Sequence, residues 1–420
     1  MRSANIKIKS AKLFSILFTF ALIFSSCSTD SSIINSETSQ QSKVVFQETI
    51  DGVSCTEGQQ KSGAFYKICV PDIWNRELVL YAHGYVSATE PIALPDLSID
   101  DTTSMEKIIT DLGYAFATTS YSKNGLAVKE GMADLADLID IFKNNFGRAR
   151  RVYLIGASEG GLITNLSMEK NFFLYDGALS ICGPTGDFAE QINYFGDFRV
   201  TFDFFFPGVI PGSAVDIPQE VMDNFETVYI PAILSAIEEN PAGAAMVLKI
   251  NRAAVNNSDP DYSIANTIVS LLWYNVFATN NAAEVLGGQP FDNSERVYSG
   301  GAFMRLFNAG VQRFSADENA LAEIENTYQT SGNIFKPLVM IHTFKDPIVP
   351  KWQQDLYIEK VAEAGNSDFL TTRAINRYGH CNFTSVELTS AFITLIHKVT
   401  GESPIIKDDL IRLRIVRRTN

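Results

Sequence analysis

The chain has 420 residues, 46% of them hydrophobic and 20% charged, which is enough apolar material for a large core and excludes a disordered or coiled-coil chain. Length alone leaves open one large domain with an insertion or two ordinary domains. A formal net charge of −14 argues against nucleic acid or anionic lipid surfaces as partners, because phosphate binding draws on clustered Lys and Arg.

Arg2, Lys7, Lys9 and Lys12 precede an apolar run from Leu13 to Phe24, and the small residues Ser25 and Ser26 follow. That order is the one found in an export signal, and the run is shorter than the roughly 20 apolar residues of a spanning helix. The signal is expected to cover residues 1–26. Its end, Phe24-Ser25-Ser26-Cys27, resembles a bacterial lipobox, with Phe24 standing where that motif usually has Leu. The resemblance implies lipidation of Cys27 and an exported protein held in the bacterial cell envelope through its N-terminal lipid. A plain cleaved signal is the alternative. Residues 27–42, rich in Ser, Thr, Asn and Gln, are expected to form a flexible tether.

Beyond Cys27 there are four cysteines, an even number that permits two disulfides in an exported protein. Cys55 and Cys69 lie close in sequence in short strand-like runs and are favoured as one pair, which leaves Cys182 with Cys381. Four buried free thiols are the alternative.

The elements begin with strand-like runs at 44–46, 52–55 and 64–70, followed by the apolar strand Glu77-Leu78-Val79-Leu80-Tyr81-Ala82, which ends in His83-Gly84-Tyr85. Helix and strand then alternate. A helix over 103–112 precedes a strand at 114–119, and a helix over 127–146 precedes the strand Arg151-Val152-Tyr153-Leu154-Ile155. A helix opens near Gly161, and a strand runs from Tyr175 to Ile181. From 187 to 333 the alternation stops, and helical runs at 218–239, 241–254 and 316–328 mark an insertion. The alternation resumes with a strand at 337–342, a helix over 351–364, a strand near 369–375 and a helix from Thr384, whose capping box uses Glu387. Such a βα rhythm predicts a mostly parallel sheet in one catalytic domain, 43–186 plus 334–420.

Gly156-Ala157-Ser158-Glu159-Gly160 matches G-x-S-x-G and lies between a strong strand and a helix, where a sharp turn forces the serine hydroxyl out of the sheet. A serine needs a base to take its proton, and the base needs a carboxylate to orient it. Of four histidines, His83 belongs to a turn, His342 to a strand and His397 to a helix, so His380, in a loop after a late strand, is the candidate base. Asp346, just past the strand 337–342, is the candidate acid, with Asp355 and Asp368 less well placed. The tetrahedral intermediate of acyl transfer also needs N–H donors, assigned to the amides of Glu159 and Tyr85.

Taken together, these motifs resemble the α/β-hydrolases in chain order: the His-Gly turn, the nucleophile elbow, Asp346 before Val349-Pro350, and Gly379-His380. The likeness covers residues 43–400 and lies nearer the bacterial lipase, esterase and prolyl-oligopeptidase-like branches than the cutinases. It implies a parallel sheet flanked by helices, a Ser158–His380–Asp346 triad and no cofactor. It also implies that residues 187–333 form a cap over the site. Cys381 beside His380 further resembles feruloyl esterases and tannases, although Ala157 precludes their bridge next to the serine, and Cys182 would be a different tether. Phe204, Phe205 and Phe206, in an aromatic-rich stretch, are candidates for a substrate pocket or for the core of the cap itself. No metal-ligand cluster, P-loop or dinucleotide fingerprint is present in the sequence. The expected reaction is hydrolysis of a small carboxylic ester. The alternatives are an exopeptidase using Asp187, Glu190 or Asp197 to hold a peptide amine, and a catalytically silent binding protein. Oligomeric state is not legible.

Overall fold

The computed structural model describes residues 44–50, 52–299 and 303–402; Cys27, the export signal and the tether lie outside them. The chain enters through three antiparallel strands, β1 (Val44–Ile50), β2 (Val53–Gln59) and β3 (Phe65–Pro71). Cys55 and Cys69 sit directly opposite each other in the β2–β3 register, with Cα atoms 4.0 Å apart, and form a disulfide.

The next strand, β4 (Glu77–Ala82), leads through a short hairpin of β5 (Ser98–Asp100) and β6 (Thr103–Ser104) into α1 (Met105–Asp111). Strand β7 (Ala115–Thr119), α2 (Val128–Phe146), β8 (Arg151–Ala157), α3 (Glu159–Lys170) and β9 (Gly177–Ile181) complete the first half. After the intervening helices, β10 (Leu338–Lys345) joins the same sheet, followed, once the helices that cover it are counted, by β11 (Leu370–Tyr378). The order across the sheet is β1-β2-β3-β7-β4-β8-β9-β10-β11, with every neighbour from β7 to β11 parallel.

Both faces of the inner parallel strands β4, β7, β9 and β10 are covered, which is why they read as near-continuous apolar runs, whereas the edge strand β11 is more polar and exposed. On β4, Leu78, Leu80 and Ala82 face α2 and α3, packing with Leu135, Leu138 and Leu166, all fully buried. Val79 points the other way, into a cluster that includes Ile109 of α1 and Phe392 and Leu395 of the last helix. Truncating a buried leucine of this kind to alanine costs about 2–5 kcal/mol, because the cavity left behind closes only in part.

Between β9 and β10 the chain forms α4 (Phe188–Phe205), α5 (Gln219–Asp223), α6 (Ile230–Glu239), α7 (Pro241–Asn251), α8 (Pro260–Leu286), α9 (Met304–Gly310) and α10 (Glu318–Glu323). The run 218–239, predicted as one helix, is broken by a π-helical turn at Phe225–Tyr229. Pro231, which has no N–H to donate, follows that turn in the first positions of α6. Two long helices, α4 and α8, escape the sequence reading. Their apolar residues encircle the helix instead of forming one stripe, since each packs against neighbours on several sides. The last helices are α11 (Trp352–Glu363), between β10 and β11, and α12 (Ser385–Thr400), whose capping box of Thr384 and Glu387 forms in full.

Candidate active site

Four turns meet at the carboxyl ends of adjacent parallel strands, where open α/β sheets place their ligand crevices. After β8 comes Ser158, with φ of 58°, a left-handed conformation that lets α3 begin at the next residue. This turn is possible because Gly156 and Gly160 lack Cβ atoms: a Cβ on Gly160 would collide with the carbonyl of Ala82 at the end of β4, and one on Gly156 with the carbonyl of Gly160.

After β10 comes Asp346, whose side chain is fully buried. One carboxylate oxygen accepts the amides of Ile348 and Val349 at 2.9 and 3.0 Å, which fixes the group and leaves Oδ2 to face the histidine. After β11 comes His380. Its Nδ1 donates to Asp346 Oδ2 at 2.8 Å, which leaves Nε2, 2.8 Å from Ser158 Oγ, as the acceptor of the serine proton. Residues separated by as many as 222 positions thus stand in one hydrogen-bonded row.

The histidine loop is held on both sides. Arg377 makes two hydrogen bonds to Glu387 of α12, at 2.7 and 3.0 Å. Cys381 is bonded to Cys182, the residue after β9, with Cα atoms 5.5 Å apart. The other three histidines have places of their own. His83 stacks on Tyr121 at 3.8 Å and bonds the Gly84 carbonyl, while His342 bonds the Val349 carbonyl. Burial lowers the pKa of both rings and keeps them neutral. His397 lies in the last turn of α12.

The turn after β4 runs against the serine: a Cβ on Gly84 would stand 3.1 Å from Ser158 Cβ, so the Gly84–Tyr85 backbone approaches the nucleophile closely. The amide of Glu159, the first residue of α3, lacks an acceptor within its own helix and is positioned by the positive end of that helix.

The side chain of Glu159 was not assigned a role from sequence. It turns inward, accepts the Ala127 amide at 2.9 Å, and burial raises its pKa to about 8. An ordinary glutamate titrates near 4.5, so the folded state binds this proton more tightly than the unfolded chain, and stability falls as pH rises from about 4.5 to about 8. Glu159→Gln, which stays neutral, is expected to flatten that decline. Melting curves at several pH values between those limits check this; an equal decline in both proteins would remove Glu159 as its source.

The phenylalanines proposed for a pocket sit elsewhere. The partly buried Phe204 and Phe205 pack on Phe303 and Phe307, and the buried Phe206 stacks on Phe202 at 4.8 Å, so their rings are taken up by the packing of the helical layer. The ring of Tyr85, in the turn that runs against the serine, packs 6.0 Å from that of Tyr274, which comes from α8 and escapes the sequence reading with that helix. Beyond Tyr274 lies an apolar cavity of about 40 Å³, lined by Ile192, Phe195, Ala214, Ala278 and Phe291 among others. The carboxylates considered for an amine site are already engaged. Asp187 caps α4 by accepting the Glu190 amide, while Glu190 and Asp197 pair with Arg296 at 3.0 and 3.1 Å.

The chain matches no protein-family model and no curated protein. It is similar to the structure of an esterase from Aspergillus oryzae, with 13% identity, 88% of each chain covered and a TM-score of 0.52. Feruloyl esterase B from Aspergillus oryzae aligns at 13% identity and a TM-score of 0.46, covering 84% of this chain and 81% of that one. A Pyrococcus furiosus esterase aligns at 12% and 0.41, covering 87% and 96%. Sheet order, parallel connections and the first of these likenesses define the chain as an α/β-hydrolase fold.

Proposed function

We propose that the protein is a serine hydrolase that cleaves a carboxylic ester of a small molecule through an acyl-enzyme. The observation that carries this reading is the row Ser158 Oγ, His380 Nε2, His380 Nδ1, Asp346 Oδ2, with both hydrogen bonds at 2.8 Å. Ser158 Oγ attacks the ester carbonyl while its proton passes to His380 Nε2. Asp346 stabilises the resulting imidazolium and holds its tautomer. The carbonyl electrons move onto oxygen, held by the amides of Glu159 and Tyr85, then return to expel the alkoxide, which takes the proton from His380. A water activated by the same histidine hydrolyses the acyl-enzyme.

The apolar cavity beside Tyr274, about 40 Å³, has room for about three water-sized groups and supports a short acyl chain. p-Nitrophenyl acetate and butyrate are therefore expected to be cleaved at least about tenfold faster than the palmitate ester, one extra methylene being worth up to that factor or more once a pocket is full. A fluorophosphonate probe is expected to label Ser158, located by peptide mapping. Labelling of any other residue, or none, would sink the assignment, and none would return the silent binding protein. A peptidase reading has less support, because Glu190 and Asp197 are both engaged by Arg296; faster turnover of aminoacyl p-nitroanilides than of esters would reverse that preference.

We also propose that the protein is exported and lipid-anchored at Cys27, on the motif Phe24-Ser25-Ser26-Cys27. Cys27→Ser is expected to abolish incorporation of radiolabelled palmitate and to move the protein from the membrane fraction to the soluble one. Unchanged incorporation would reject the anchor.

A further inference from the structure

A cavity of about 530 Å³ opens between α4, α7, α11 and the segment that carries Arg296 and Tyr298, and none of Ser158, Asp346 and His380 lines it. Its volume falls within the roughly 300–1,000 Å³ of sites that hold small molecules. We propose that this cavity is a second binding site, separate from the triad, for a small organic anion with an aromatic or aliphatic body. Such a site stands whether or not Ser158 is a nucleophile.

Charge decides the class of ligand. The two carboxylates of the lining are already matched. Glu190 accepts Arg296 Nη2 with both oxygens, at 3.1 and 3.0 Å, and the Asn193 amide at 3.2 Å. Asp197 pairs with Arg296 Nε at 3.1 Å and accepts the Tyr298 hydroxyl at 2.6 Å. Lys249 and Arg252, at the C-terminal end of α7, are not matched: among the described residues their side chains have no acidic partner, in a chain with 48 acidic residues and 34 basic ones. Both are exposed, so an anion reaches them without displacing a partner. Three bases thus face two acids, and the lining carries one formal positive charge where the whole chain carries −14. A ligand amine would meet occupied carboxylate oxygens and two like charges, whereas a carboxylate or sulfonate meets two open donors.

The rest of the lining sets the body of the ligand. Trp352 and Leu356, four positions apart and so on one face of α11, stand with Ile250 of α7, all three half-buried. Tyr194 donates its hydroxyl to the Pro347 carbonyl at 2.8 Å, which occupies its polar atom and leaves the ring to the lining. A ligand with an apolar body covers surface that otherwise faces water, and that burial supplies affinity while the cations select the head group. The walls are also held at a fixed spacing. Gln191 and Tyr194 of α4 bond the Ile348 and Pro347 carbonyls, in the turn that leads into α11, and a preformed cavity spares the ligand the cost of ordering it.

Titration calorimetry of the whole protein with 2-naphthoate, an aromatic carboxylate, tests this. One molecule per chain is expected to bind with a Kd of about 1 mM or tighter. The neutral isostere 2-naphthalenemethanol should bind at least about tenfold more weakly. The double variant Lys249→Ala with Arg252→Ala should weaken naphthoate by at least about tenfold and flatten the dependence of its affinity on salt. Leu356→Trp, which fills the apolar side and leaves both cations, should weaken it by a similar factor, and decides the matter should the double variant unfold. Protein treated with a fluorophosphonate should keep its naphthoate affinity within about twofold. No binding to the wild type, equal affinity for the alcohol, unchanged affinity in the variants, or loss of binding once Ser158 is labelled would each overturn the site. Absence of labelling defeats the hydrolase reading alone and leaves the naphthoate result standing.

Discussion

Replacing Ser158 with Ala is expected to lower kcat on p-nitrophenyl acetate by about 10⁴- to 10⁶-fold, with melting temperature nearly unchanged. The size follows from the loss of the covalent route: without Oγ, His380 can activate only water, and what remains is the contribution of the oxyanion donors. Stability should hold because the change deletes one hydroxyl and disturbs neither glycine of the turn, whose close contacts are with the Ala82 carbonyl and α3. A variant that hydrolyses the ester within about tenfold of wild type, measured on protein freed of contaminating esterase, would show that Ser158 is not the nucleophile.

Asp346→Asn is expected to reduce kcat by about 10⁴-fold while His380 stays near its place. Here the geometry makes the loss one of tautomer and charge. Oδ1 is committed to the Ile348 and Val349 amides, so an asparagine keeps its carbonyl there and turns its NH₂ toward His380 Nδ1. The imidazole then carries its proton on Nε2 and cannot accept one from the serine. The imidazolium formed during attack also loses its counter-charge, in a position with no solvent to replace it. A pH–rate profile of the variant tests this directly: activity should recover partly at high pH, where hydroxide can take the serine proton in place of the imidazole, and a profile parallel to wild type with only a small loss would remove Asp346 from the mechanism.

Much of this arrangement was legible in the sequence. The βα rhythm, interrupted and resumed, gives the sheet its parallel part, and Ser158 and Asp346 each follow a strand with a clear apolar run, whereas His380 follows the more polar edge strand β11. Pairing Cys55 with Cys69 by closeness in sequence matches their opposition across β2 and β3. The helical layer was harder because its long helices are buried on several sides. Residues 260–286 show no clean stripe, so neither α8 nor its Tyr274 could be placed, and the Phe-rich stretch could be assigned to a pocket as readily as to a core. Nothing in the sequence signals the place of the Glu159 side chain, whose carboxyl is buried and accepts the Ala127 amide. The acidic groups of α4 looked available because their counter-ion, Arg296, lies about a hundred positions away.

The Cys182–Cys381 bond spans 199 positions and has α4 through α11 inside its loop. Ser158 lies just before that covalent ring and His380 just within it, so a single protease cut anywhere among the intervening helices leaves the two halves of the site on one covalently joined molecule. Such a nicked protein would migrate as one band without reductant and as two with it. Damage to those helices would then not by itself set Ser158 and His380 adrift from each other.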